Sequence, residues 1–374
     1  MRFDDLYLSG LGSYLPGTVT TSDAISRGLY SAADREMSGM LSVMVAGDTP
    51  APEMAAHAGN IAIKRSGHDP DDFIALLHSG SYHQGPDGWS APHYVLRNTI
   101  DRPITALEVR QGCLGMLSGL RIAAGLLNEG NNTAPPNRAD TAALRTRATD
   151  AAQPTGETDA DRLGRNSDAV LLTTGDNYGT PLVDRWKASR MFLLADGGAA
   201  VVVSRKGGFA KVLAAGAVSH PEMEELHRGG ETLFPPDLSR GLNFEERVGW
   251  WREQWAAGVT PPMGHLGELV SEVALKTLEE AGSSIDRVKR VCHVGFTEGP
   301  LNDIYLDPLG IDAAKGTWEL TRTTGHAGAA DPFIGLEWLW TRGDVEPGDH
   351  VLLIGTAPGM ESGCAVVEIT ERST

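Results

Sequence analysis

An internal duplication constrains this chain more than any other feature. In the first half an alanine-rich amphipathic run, EMAAHAGNIAIKRSG, ends at Gly67 and passes through HDPDD into the strand-like FIALLHSG. In the second half LGELVSEVALKTLEEAG ends at Gly282 and passes through SSIDR into VKRVCHVG. Each reads as a helix closed by glycine, an acidic turn, a buried strand and then His-x-Gly. The step from Gly67 to His78 equals the step from Gly282 to His293. Repetition in the same order and at the same spacing predicts two copies of one supersecondary unit.

Further pairs follow in the same order. LYLSGLGSYLP near the start parallels AKVLAAGAVSHP at Ala210 to Pro221, and GCLG at Gly112 parallels GHAG at Gly325, each opening a helix. DAVLLTTG parallels DHVLLIG, and GAAVVVS parallels GCAVVEI. The expectation is an α/β chain of two pseudo-symmetric βαβ-rich halves, about 1–206 and 207–374, each with a sheet buried on both faces. Layers of helix and sheet then enclose one core. The symmetry sets the starts of the GCLG and GHAG helices opposite one another, so Cys113 and His326 hold equivalent positions and a site between the halves can receive both.

Two segments stand outside the repeat. The stretch from Asn128 to Asp168 is rich in Asn, Thr, Ala, Asp and Pro with almost no large apolar residue, which predicts a flexible surface insertion. The region EELHRGGETLFPPDLSRGLNFEERVGWWREQWAAGVTPPMG carries Trp250, Trp251 and Trp255, expected to form a cap that either packs on the core or walls a substrate site. A formal charge of −17 argues against nucleic acid or an anionic membrane surface as the main partner. Three cysteines make no disulfide framework, and neither a signal segment nor a membrane span is evident, so the expectation is a cytoplasmic protein with reduced thiols.

Cys113 lies between Gly112 and Gly115 where an extended run turns helical. A thiol in the first helical turn sits beside unpaired N–H groups and the positive end of the helix dipole, which favours thiolate, and its own N–H can serve an oxyanion. Cys292 and Cys364 lie inside apolar strands and read as core residues. The candidate bases are His293, where a strand gives way to a loop, and His326, at the other helix start. Asp331 precedes Pro332, which suits both an N-cap and a carboxylate that orients a histidine. The histidines and cysteines lack the close spacing of metal ligands, and no phosphate-cradling motif stands out.

The ordered set LSGLGSYLP, VRQGCLG, LLADGGAAVVV, CHVGF, TGHAGAADP and GDHVLLIGTAPGMESGCAVVEI resembles the thiolase superfamily, and within it β-ketoacyl-acyl-carrier-protein synthase III. The resemblance implies a five-layered αβαβα fold, a homodimer, no permanently bound cofactor, and an acyl-carrier-protein or coenzyme A thioester as donor. It sets the acyl-accepting cysteine on Cys113 and the catalytic histidine on His293. The sequence also departs from the family. Where synthase III has an asparagine, this chain has His326 in GHAG; the loop expected to donate a second oxyanion N–H reads TAPGME, where Pro358 has no N–H and Gly359 is the substitute; and the arginine-bearing segment after the histidine is replaced by HVGFTEGPLND.

These departures resemble the synthase-III-like acyltransferases of bacterial natural-product pathways, of the cervimycin malonyl-sugar transferase type. The expected reaction moves an acyl unit, malonyl-type among the options, through a Cys113 acyl-enzyme to a hydroxyl or amine of a small-molecule acceptor such as a sugar. His293 is the expected base, with Asp331 as the orienting carboxylate and His326 as the alternative or supporting third member. The Cys113 and Gly359 N–H groups are the expected oxyanion donors. Decarboxylative carbon–carbon condensation is the alternative reaction, and a catalytically idle partner that binds an acyl carrier is the alternative of another class.

Overall fold

The computed structural model describes residues 1–129, 168–179, 183–235, 241–260 and 266–373. Almost all of the expected insertion, 130–167, lies outside them. The strands in chain order are β1 (Tyr7–Tyr14), β2 (Thr18–Thr20), β3 (Ser42–Met44), β4 (Phe73–Ser79), β5 (Thr105–Glu108), β6 (Ala169–Asp176), β7 (Gly197–Ser204), β8 (Ala210–Ser219), β9 (Val288–His293), β10 (His350–Ala357) and β11 (Glu361–Ile369). Nine of them form one sheet in the order β5-β4-β6-β7-β1-β8-β11-β10-β9, while β2 and β3 pair apart from it.

Reading outward from the centre exposes the duplication. On one side β1 pairs antiparallel with β7, β7 antiparallel with β6, and β6 parallel with β4. On the other, β8 pairs antiparallel with β11, β11 antiparallel with β10, and β10 parallel with β9. The two sides join where β1 and β8 run antiparallel, Tyr7 opposite Lys211 and Leu8 opposite Ala210. Every residue of β6, β7 and β10 is buried, which is why these strands read as near-continuous Ala/Val/Leu runs instead of alternating.

The helices Gly115–Glu129 and Asp331–Arg342 each touch strands of both sides, and their apolar faces share one core cluster with them. They form the middle layer. The helix Ala51–Ser66 covers β1, β6 and β7 from outside, and the helix Leu266–Glu280 covers β8 and β11. Helix, sheet, paired helices, sheet and helix give the five-layered αβαβα arrangement. The short turns Gly112–Leu114 and Gly328–Ala330, which open the two middle helices, lie against each other. The two helix starts therefore meet inside the molecule, as the symmetry of the sequence requires.

Close packing of the outer layer explains the glycines of YLSGLGSY. A Cβ at Gly12 would stand 2.6 Å from the Ala58 carbonyl oxygen of the covering helix, and one at Gly10 would meet the Ala62 carbonyl. Neither backbone oxygen is free to move, because each belongs to a packed helix. Gly12→Ala should lower stability by about 1–3 kcal/mol, seen as a fall in the urea midpoint. Gly17→Ala, with nothing within 4 Å of its Cβ, should leave that midpoint within about 0.5 kcal/mol of the parent.

Candidate active site

Cys113 sits in the tight turn Gly112–Leu114 that leads into the helix Gly115–Glu129. The turn needs glycine on both sides of it. Gly112 has φ 48°, in the left-handed region, and a Cβ there would stand 2.9 Å from Cδ of Pro358. A Cβ at Gly115 would strike the side chain of Ser79 at the end of β4. Cys113 is half-buried, whereas Cys292 and Cys364 are buried and have their thiols pushed far up by burial. The latter two are inert core residues, as their strand positions suggest.

The partner of Cys113 is His326, whose Nε2 lies 3.2 Å from Sγ. The other ring nitrogen, Nδ1, donates to Asp331 Oδ2 at 2.5 Å. Asp331 in turn accepts two backbone N–H groups, from Gly295 at 2.7 Å and from Ala327 at 2.8 Å. It is the first residue of the helix Asp331–Arg342, one position inside the N-cap expected from the sequence, and its carboxylate folds back over the turn. His326 itself is fixed from the opposite half, since its N–H donates to Leu193 O and its carbonyl accepts from Ala195 N–H, both at 2.8 Å. The Phe192 ring packs edge-on against the imidazole at 4.9 Å.

Electrostatics follow from this geometry. Burial alone would push the His326 pKa down, yet the charges of Cys113 and Asp331 outweigh it and hold the imidazole well above its ordinary value. The site is a buried relay of thiol, imidazole and carboxylate with the imidazolium form favoured.

His293, the expected base, is not the residue hydrogen-bonded to Cys113. It ends β9, fully buried, with Nδ1 donating to Val294 O at 2.9 Å and Nε2 accepting the Thr317 N–H at 3.2 Å. Burial drives its pKa down to about 4, so it stays neutral. His78, its repeat equivalent at the end of β4, is also buried and held near 4, bonded to Thr173 and Gln84. Both strand-end histidines are satisfied within the core. What the sequence could not supply is the path of the loop at Thr317, which occupies the nitrogen of His293 that the expected role would need.

A cavity of about 300 Å³ opens onto Cys113 and His326. Phe192, Phe296, Ser81 and Tyr178 line it, and the cap contributes His227, Phe244 and Arg247. Of the cap tryptophans, Trp251 packs in the core and Trp255 is exposed, so the wall is made by Phe244 and Arg247, whose helix Phe244–Ala256 the Trp251 anchor holds down. Pro358 lines the cavity, whereas Gly359 is exposed and absent from its lining. Far from this site, His68, Asp72 and Asp168 bring ligand atoms within 4.8 Å of one another, a grouping their sequence positions hide. The ammonium of Lys206 bridges the two carboxylates, at 3.4 and 3.2 Å.

Two measurements test these assignments. In the native protein iodoacetamide should label Cys113 and leave Cys292 and Cys364 unmodified, and His326→Ala should slow that labelling at neutral pH by roughly tenfold or more, read by peptide mass spectrometry. The folded pKa of His293 lies below its ordinary 6.5, so its contribution to stability is complete above pH 6.5 and is lost as pH falls through about 4. The urea midpoint should therefore fall across that window, and less steeply in His293→Gln.

Comparison with known proteins bears on the fold and the family. The family model for the C-terminal part of 3-oxoacyl-acyl-carrier-protein synthase III matches residues 278–369. Synthase III 1 of Streptomyces coelicolor is 22% identical over 96% of this chain and 95% of its own. The Aquifex aeolicus synthase III structure superposes with a TM-score of 0.72 at 18% identity, covering 97% of this chain and 99% of that one. The structure of ChlB3, described as an acyltransferase, is 35% identical with a TM-score of 0.85 and covers 99% of both chains. Among the described residues, no helix is long and apolar enough to cross a membrane. With fold, duplicated order and full-length likeness in agreement, the chain belongs to the thiolase superfamily, in its β-ketoacyl-acyl-carrier-protein synthase III-like branch.

Proposed function

We propose that this protein is a two-step acyltransferase in which Cys113 carries the acyl group. The unbroken chain of contacts from Sγ through both nitrogens of His326 to Asp331 carries the reading. The Cys113 thiolate attacks the carbonyl of an acyl thioester; the bond to the donor sulfur breaks, and the departing thiolate takes the Nε2 proton of His326. His326, now neutral, accepts the proton of an acceptor hydroxyl or amine as that group attacks the acyl-cysteine, and Cys113 leaves as thiolate. Asp331 holds the imidazole in the tautomer with Nδ1–H and stabilises its charged form. The N–H of Cys113, at the start of the turn that opens the helix, receives the oxyanion in both steps, because Pro358 has no hydrogen to give.

The donor is an acyl-carrier-protein or coenzyme A thioester, malonyl-type units among them, and the acceptor is a small molecule such as a sugar of a bacterial natural-product pathway. The likeness to ChlB3 supports acyl transfer. The protein is expected to work as a homodimer, as the synthase III resemblance implies, and in the cytoplasm, as its few cysteines suggest. Decarboxylative condensation is disfavoured by one observation. That reaction uses N–H donors to an enolate, and Nε2 of His293 is already an acceptor for the Thr317 N–H.

Intact-mass spectrometry with malonyl, acetyl and propionyl thioesters should add an acyl mass to the parent protein and none to Cys113→Ala. Asp331→Asn should lower turnover by about 10²–10⁴-fold, through the wrong tautomer of His326. His293→Gln should retain acylation. Release of carbon dioxide with a β-ketoacyl product would sink acyl transfer in favour of condensation, and the absence of any acyl mass across the panel would leave the idle carrier-binding partner.

A further inference from the structure

The wall of the catalytic cavity includes Ser81, Tyr178 and Leu194, of which Tyr178 and Leu194 are only 2% and 1% exposed. Donor and acceptor must each enter and leave, whereas the acyl group stays between the two steps. On the acyl-enzyme reading above, the acyl chain on Cys113 shares the cavity with these residues.

This part of the wall is unusually polar for an acyl pocket. The Ser81 hydroxyl is buried and makes no well-aligned hydrogen bond, facing the side chains of Asp176 and Tyr178. Three oxygens, Asp176 Oδ2, Ser81 Oγ and Tyr178 Oη, converge within 3.3 Å of the point that a Cβ on Gly328 would occupy, two residues from His326. Gly328 has φ 65°, and any side chain there would fill this niche. The groups are held rigidly. Asp176, fully buried at the end of β6, accepts the N–H of Ser81 at 2.8 Å and of Tyr82 at 2.9 Å. The N–H of Tyr178 donates to Asp196 at 2.8 Å, and Asp196 is paired with the buried Arg185 at 2.9 Å. The Tyr178 ring stacks on Tyr82, with centroids 5.9 Å apart. Burial raises the Asp176 carboxyl to about 7, so near neutrality it still carries a proton part of the time and can serve as donor or acceptor behind the two hydroxyls.

We propose that Ser81 and Tyr178 select an acyl group bearing its own hydrogen-bonding oxygen, a hydroxyl or keto oxygen a few bonds from the thioester carbonyl. A plain alkyl chain beside Ser81 and Tyr178 leaves the Ser81 hydroxyl buried without a well-aligned partner, and a site built around polar groups discriminates strongly against the analogue that lacks the matching one. An oxygen-bearing chain satisfies it.

The test is competitive loading of Cys113 from equimolar pantetheine thioesters in matched pairs, butanoyl against 3-hydroxybutanoyl and butanoyl against 3-oxobutanoyl, read by intact mass at early times. The parent protein should favour an oxygenated partner by roughly tenfold or more. Tyr178→Phe and Ser81→Ala should each shift the ratio toward one, and the double variant further, with thermal melts confirming that the variants are folded. Tyr178→Phe keeps the ring and its stacking, so it separates the hydroxyl from the fold. A parent ratio at or below one for both pairs overturns the proposal, as does a ratio that neither variant moves, while acyl transfer itself stands. A parent protein that is acylated by no thioester removes the acyl-enzyme reading and this inference with it.

Discussion

One carboxylate ties the site together. Asp331 accepts three hydrogen bonds, one from Gly295 in the loop leaving β9 and two from consecutive residues of the turn before its own helix, the imidazole of His326 and the Ala327 N–H. An ionised carboxylate in a buried layer is costly unless each lone pair finds a donor. Here two backbone amides and an imidazolium supply them, at the start of a helix whose dipole also favours negative charge. The same contacts set the tautomer of His326 and aim Nε2 at Cys113. Removing the carboxylate would therefore disturb loop, ring and thiol together, and the charge of His326 would lose its counterpart.

The duplication explains why such a site exists in this place. Each half supplies one middle helix, and the pseudo-symmetry brings the two opening turns into contact between the half-sheets. Two helix starts bring their first-turn amides and the positive ends of their dipoles together between the half-sheets. Divergence then gave the equivalent positions different chemistry, Cys113 in one half and His326 in the other. The strand ends diverged less. His78 and His293 both remained neutral and internally bonded, one to Thr173 and Gln84 and the other to Val294 and Thr317.

Relatives at about 20% identity share the five-layered fold, so the fold alone does not distinguish condensation from transfer. The distinction rests on side chains. A thiol paired with a carboxylate-backed imidazole is suited to taking and returning one proton in each half-reaction. Stabilising an enolate instead needs N–H donors aimed at its oxygen, and Nε2 of His293 already accepts a backbone N–H. The cavity wall at Ser81 and Tyr178 carries a second chemical signature, since hydroxyls gathered beside Asp176 offer hydrogen bonds that a hydrocarbon cannot use.

Much of this was legible in the sequence. The repeated helix, glycine, turn and strand order foretold the mirrored strand pairing, because register and burial follow from local apolar runs. The two glycines around Cys113 marked a turn with no room for side chains, and the pairing of GCLG with GHAG placed Cys113 opposite His326. The choice between His326 and His293 was not legible. Both follow apolar strand or turn signals, and both suit the family resemblance in part. Hydrogen-bond partners are assigned by the path of loops distant in sequence, at Thr317 for one histidine and at Asp331 and Leu193 for the other. Likewise Ser81, Tyr178 and Asp176 carry no motif, because they converge only where β4 and β6 end side by side. The sequence by itself determined the fold, the turn and the nucleophile candidate, since these depend on local pattern and repetition. Only the tertiary structure decided which imidazole faces the thiol and what lines the cavity beside it, since desolvation and hydrogen-bond geometry arise when distant segments pack.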